Sequence, residues 1–183
     1  SALHPVSTSG CFRQRMRFRA DYTPAYPVRM GSWSYSSPCH QQEFQITRMA
    51  KGNKEEYRLQ NERFLEAVAH EEGVKSLRGG VLYKIIEEGT GGGTAGPRSI
   101  VTCHYKGTLI NGKVFDNSFN RSCPEAFRVN ELISGFQIAL VNMHIGDHWE
   151  VYIPSHLGYG PKNAGPIPGN STLIFEIKLI AIG

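Results

Sequence analysis

Apolar residues recur at every second position near the end of the chain, at Leu173, Phe175, Ile177 and Leu179. A period of two puts those side chains on one face and predicts a long half-buried β-strand. Trp149, Val151 and Ile153 repeat the pattern, alternating with His148, Glu150 and Tyr152. Upstream, residues 81–88 (VLYKIIEE), 100–109 (IVTCHYKGTL) and 113–116 read as three further strands. A Gly-rich turn over 89–97 joins the first two. Asn111-Gly112 closes the next two as a hairpin, since both central turn positions are expected at positive φ. One segment repeats at helical spacing instead. Over 129–143, Leu132, Ile133, Phe136, Leu140 and Val141 share a side, and Gly146 lies just past the end. Strands with a single short helix among them predict an α+β domain over residues 79–183: an antiparallel, strongly curved sheet wrapped around one short helix.

The residues ahead of this domain divide in two. Residues 53–72 contain no Gly or Pro and predict a helix, with Asn53 as its N-cap and Gly73 as its end. Its stripe of Tyr57, Phe64, Leu65 and Val68 is narrow, so it must lie on the following domain or on a partner. Residues 49–78 thus form a helix and a linker. Residues 1–48 keep no period of 2 or 3.6, and Pro5, Pro24, Pro27 and Pro38 interrupt every candidate element, which predicts an irregular tail. Two readings of the tail stand: an appendage upstream of a native start at Met49, or an Arg- and Ser-rich segment of the kind that targets organelles.

Charge changes the picture only in that tail. The 183 residues hold 20 Lys+Arg and 16 Asp+Glu, a net charge of +4. Residues 1–48 hold six arginines against Asp21 and Glu43, so the entire excess lies there and the rest is neutral. No nucleic-acid partner is therefore expected of the folded part. No run approaches the roughly 18 apolar residues that a membrane-spanning helix needs. Cys11, Cys39, Cys103 and Cys123 are far apart with no C-x-x-C pair, which argues against a zinc site or a disulfide framework and fits a reducing compartment.

Reactive chemistry finds little support. The glycines at 91–93 and 96 are followed by Pro97 and a strand, without the helix N-terminus and lysine of a phosphate cradle. His144 and His148 stand four apart, but Gly146 ends the helix between them, so they are not a metal pair. There is no G-x-S-x-G, and Cys103 reads as a small core residue. Neither metal nor cofactor is expected. What remains is a set of rings and aliphatic residues: Tyr105, Phe115, Phe136, Tyr159 and Phe175, with Ile133 and Ile167. They are either core or the lining of an apolar pocket. Asp116 beside Phe115, and Tyr159 within Gly158-Tyr159-Gly160-Pro161, would supply the polar handles of such a pocket.

The segments 101–107 (VTCHYKG) and 111–118 (NGKVFDNS) resemble the strand–hairpin–strand signature of FKBP-type peptidyl-prolyl isomerases. Residues 132–136 through 143–146 are similar to that family's helix and its exit. Residues 153–160 (IPSHLGYG) and 167–175 (IPGNSTLIF) are similar to its loop and last strand. The likeness runs over about 105 residues, and the preceding helix with residues 72–77 resembles the bacterial macrophage-infectivity-potentiator-like branch in a shortened version. It implies a pocket lined by Tyr105, Phe115, Asp116, Leu132, Ile133, Phe136, Tyr159, Ile167 and Phe175. Asp116, Tyr159 and the Ile133 amide would hydrogen-bond the ligand, and Arg121 would pair with Asp116. Phe136 stands where many members have Trp, and Glu125 where an aromatic often lines the pocket. The chain between Phe127 and Gly135 is also shorter than in the single-domain eukaryotic forms. These departures bear on the affinity for macrolide inhibitors more than on the fold.

The implied activity is non-covalent rotation of X–Pro bonds in polypeptides, assisting protein folding, without nucleophile, metal or cofactor. The alternative is a proline-peptide-binding chaperone or interaction module with weak or no isomerase activity. Since the N-terminal helix is short, a monomer is expected. A start at Met49 implies a cytoplasmic protein, and a signal ahead of Ser1 an exported or periplasmic one.

Overall fold

The computed structural model describes residues 39–121 and 123–183, with side chains from Asn53 onward. Residues 1–38, which carry most of the expected tail, lie outside the described residues.

Seven strands form one antiparallel sheet: β1 (Val74–Ser76), β2 (Leu82–Glu87), β3 (Ile100–Leu109), β4 (Val114–Asn117), β5 (Glu125–Arg128), β6 (His148–Ile153) and β7 (Leu173–Ile182). The order is β1-β2-β6-β7-β3-β4, with β5 also pairing β3. The four long predicted strands and the hairpin return are all present. β1 and β5 are additions, of three and four residues, too short to display a period. The last strand is longer than the alternation at 173–179 suggests, because its end pairs with β3 through Val101↔Ile182 after a register shift.

The 110–113 hairpin differs from the expected two-residue turn. Only Gly112 has positive φ, at 78°. Leu109 and Lys113 are bonded by Leu109 N–H to Lys113 O at 3.0 Å, leaving a three-residue loop ending in a left-handed glycine. The Asn111 side chain accepts from Lys113 N–H at 3.0 Å, so it shapes the turn through its carbonyl oxygen.

The sequence-predicted helix at 129–143 is mostly something else. A one-turn 3-10 helix covers Val129–Glu131, and α2 spans only Ser134–Leu140. Leu132 and Ile133 between them are extended, with ψ of 167° and 148°. Their apolar character reflects packing against the core cluster, which helical spacing alone cannot distinguish from a helix face. α2 lies against β6 at a point of very close approach: a Cβ on Gly135 would be 2.2 Å from Ile153 Cγ2. The core beneath it collects Leu140, Met143, Val151, Ile153, Leu173 and Ile177. Asp147, in the turn between α2 and β6, is buried and accepts from the amides of Gly89 and His144, each at 2.7 Å. It thereby ties the Gly-rich 88–97 loop to the end of α2.

α1 (Cys39–Ala69) is 31 residues long, so it crosses the expected boundary at residue 48 and places Gly52 and Asn53 in its interior. Asn53 is not an N-cap. Helix formers continue upstream as far as Pro38, and one internal glycine costs only about 1 kcal/mol. The apolar stripe packs on its own domain: Val68 joins Leu82 and Tyr152, flanked by Phe64 and Leu65. A polar latch completes the docking. The buried Asn61 donates to Tyr57 O at 2.8 Å and accepts from Thr172 N–H at 2.7 Å, while the Tyr57 hydroxyl meets Ser171 Oγ at 2.9 Å. Replacing Asn61 with Ala leaves the Thr172 amide buried without an acceptor. The expected loss is about 1–3 kcal/mol, read as a lower urea midpoint with earlier proteolysis within α1.

Candidate active site

β3 and β4 supply the first wall. Tyr105 points inward from β3, its ring meeting Phe127 edge-on at 5.6 Å and Phe136 perpendicularly at 6.2 Å. Opposite it, Phe115 of β4 meets Phe175 of β7 at 5.6 Å and 87°. Gly107 makes this possible. A Cβ there would lie 2.4 Å from Phe115 Cζ and 3.0 Å from Phe175 Cε1, so the two rings lie against a bare α-carbon. Phe136 on α2 closes the floor against Phe175 at 5.0 Å and 84°. Edge-to-face geometry of this kind adds about 0.5–1.5 kcal/mol per pair beyond burial and fixes the ring planes. Leu132, Ile133 and Tyr159 pack half-buried on the same cluster, and Ile167 is buried within it. Ile133 immediately precedes α2, where amides have no intrahelical acceptor. Ile167 is held by a tight loop in which it and Ala164 exchange backbone hydrogen bonds of 2.9 and 3.0 Å.

Polar groups gather on one side of this box. The Tyr105 hydroxyl donates to Asp116 Oδ2 at 2.6 Å. Arg121 donates through Nη1 to Asp116 Oδ1 at 2.8 Å, and through Nη2 to the Tyr105 hydroxyl at 3.2 Å and to Glu125. Asp116 Oδ1 also accepts the Asn117 amide at 2.8 Å. Burial pushes the Tyr105 hydroxyl well above the ordinary tyrosine range, helped by its bond to Asp116. Tyr159 is likewise raised, by burial first and then by the charge of Asp116. Both tyrosines therefore keep their protons and can donate. Arg121 is held protonated chiefly by its bond to Asp116.

Of the ten residues expected at the site, Tyr105, Phe115, Phe136 and Phe175 meet through their rings, Asp116 and Arg121 bond to Tyr105, and Leu132, Ile133, Tyr159 and Ile167 belong to the same core cluster. Phe127 was missed. Two residues beyond Glu125 on β5, Phe127 shares its inward face and places its ring on Tyr105. The inward spacing of residues 125, 127 and 129 was the available signal. Cys103 is buried and its thiol is pushed up to about 12 by burial and then by Glu125, which leaves it a core residue rather than a nucleophile.

Residues 91–180 match the family model described as FKBP-type peptidyl-prolyl cis-trans isomerase. The outer membrane protein MIP of Legionella longbeachae is 41% identical over 145 residues, covering 78% of this chain and 62% of that protein. An FKBP-type 22 kDa peptidyl-prolyl cis-trans isomerase of Escherichia coli is 43% identical over 121 residues, covering 66% and 58%. A crystal structure of a peptidyl-prolyl cis-trans isomerase from Pseudomonas syringae pv. tomato superposes with a TM-score of 0.67 at 36% identity, covering 71% of this chain and 96% of that one. The chain thus spans less than two thirds of the curated relatives' length. The expectation of a cytoplasmic protein gains nothing from these names, one of which places its bearer at the outer membrane.

Proposed function

The chain belongs to the FKBP-type peptidyl-prolyl cis-trans isomerase family, and on that premise we propose that its pocket catalyses rotation about X–Pro bonds in polypeptides. The observation that carries this reading is the aromatic box of Tyr105, Phe115, Phe136 and Phe175, interlocked edge to face, with the Tyr105–Asp116–Arg121 hydrogen bonds at its side.

Unaided rotation costs about 20 kcal/mol because amide resonance must be broken, and takes tens of seconds or longer. In the planar amide, charge separation between nitrogen and oxygen is well solvated by water. The twisted amide has lost that separation and suffers less from a dry, apolar surrounding. A box of four rings therefore disfavours the planar ground state more than the twisted transition state. Proline would lie over Phe136, between Tyr105, Phe115 and Phe175. The Tyr159 hydroxyl would orient the preceding carbonyl, and Asp116, braced by Tyr105 and Arg121, would accept from the bound chain or polarise it. Leu132 and Ile167 would line the remaining wall, with the Ile133 amide as a donor. No bond is made or broken, so no nucleophile is required.

The test is catalysed isomerisation of an X–Pro peptide, followed in a refolding or protease-coupled assay. Acceleration above the uncatalysed rate supports the enzyme. Peptide binding without acceleration selects the interaction-module alternative. Because both tyrosines are held above the ordinary range, the turnover is expected to stay flat from about pH 7 to pH 9. A fall with a midpoint near pH 9, followed by exchange spectroscopy without a coupling protease, would contradict the tyrosine-donor role.

Macrolide inhibitors would compete for the same floor, with less stacking area on Phe136 than an indole offers. Between the two compartments, the exported alternative fits better with a relative named as an outer membrane protein.

A further inference from the structure

At the edge of the pocket two carboxylates share one cation. Asp116 takes one guanidinium nitrogen of Arg121 and Glu125 takes the other. Among the described residues neither carboxylate has another cationic partner within ion-pair distance. The three side chains therefore carry a net −1 beside a box whose other lining groups are neutral. None is deeply buried: the side chains of Arg121, Asp116 and Glu125 are 46%, 18% and 29% exposed. The uncompensated charge is thus within reach of a bound chain without requiring an ion to enter the core.

Glu125 is the member that tips the balance. Asp116 with Arg121 alone would be neutral. In β5 Glu125 shares its face with Phe127, whose ring lies on Tyr105, and it stands opposite the buried Cys103 in the β3–β5 register. Its carboxylate therefore faces the pocket side of the sheet. The field of these carboxylates is felt across the lining, since the charge of Asp116 reaches Tyr159 and that of Glu125 reaches Tyr105 and Cys103.

We propose that Glu125 is a specificity-determining residue that biases the pocket toward X–Pro segments carrying Lys or Arg beside the proline and against those carrying Asp or Glu. This deepens the isomerase reading and rests on it. Two unit charges several ångströms apart at a partly solvated rim interact weakly but measurably, and exchanging a cation for an anion doubles the difference. The expected preference is about five- to tenfold at low salt, and screening should erode it.

The experiment compares three short peptides that differ only in having Lys, Ala or Glu before the proline, by kcat/KM at low and high ionic strength. The expected result is Lys over Glu by about five- to tenfold, shrinking at high salt, with the ratio falling below about twofold in Glu125→Gln. Gln can keep the hydrogen bond to Arg121 while losing the charge. A merely structural role would scale all three peptides together and leave the ratio unchanged, which would overturn the proposal. A wild-type ratio near one would overturn it as well. Turnover of none of the peptides would count against the isomerase reading itself. In that event the dissociation constants of fluorescently labelled versions carry the same Lys-to-Glu comparison and judge the charge preference separately.

Discussion

Ala at position 135 is expected to destabilise the domain by about 3 kcal/mol, the upper part of the range for overpacking a filled core. The new methyl would stand 2.2 Å from Ile153 Cγ2 and within 3.1 Å of two further Ile153 carbons. Ile153 is fully buried on β6, so it has no free space into which to rotate. Relief must come from lifting α2 off the sheet, which would also move the adjacent Phe136. Urea denaturation should show a lower midpoint with little change in slope. The cause can be isolated by adding Ile153→Ala. Alone, that substitution leaves a cavity costing about 2–5 kcal/mol; combined with Gly135→Ala it should cost at least about 1 kcal/mol less than the sum of the two. Strict additivity would mean that the close approach of α2 and β6 is not what the glycine serves.

Phe136→Ala should have the largest effect on activity. The ring is 4% exposed and meets both Tyr105 and Phe175 near 90°, so its removal takes away the floor and two contacts that hold the walls upright. A stability loss of about 3–5 kcal/mol is expected from burial. For X–Pro turnover we expect kcat/KM to drop roughly 30- to 100-fold, which corresponds to about 2–3 kcal/mol of transition-state stabilisation. Activity must be measured where circular dichroism shows the variant folded. Phe136→Trp provides the contrast: it keeps an aromatic floor, should retain most of the turnover, and adds an indole whose emission reports peptide binding. A folded Phe136→Ala protein with undiminished turnover would remove the aromatic floor from the mechanism.

Legibility followed the range of the physical cause. The strands at 100–109 and 148–153 were visible because one face of each is buried and alternation is written into neighbouring residues. The helical extent was misjudged twice for the same reason. Leu132, Ile133 and Val141 are apolar because the core and pocket need them, not because they continue α2. Asn53 has the chemistry of a cap, but the residues upstream prolong α1 past it. The site residues were identifiable through the resemblance of their segments to a family, whereas Phe127 went unnoticed because β5 is four residues long.

Alternating strands, the left-handed glycine of the hairpin, the neutral charge balance after residue 48 and a helix with a narrow apolar stripe were determined by the sequence alone. Each depends on residues a few positions apart, whose steric and solvation preferences act before any tertiary contact exists. Tertiary structure alone decided that Arg121 would serve Asp116, Tyr105 and Glu125 at once, that Gly107 would make room for Phe115 and Phe175, and that Asn61 would clamp α1 to the segment before β7. Those contacts join residues from separate strands and loops. Which partners meet is set by sheet register and by the close approach of α2 to β6, and no local preference encodes either.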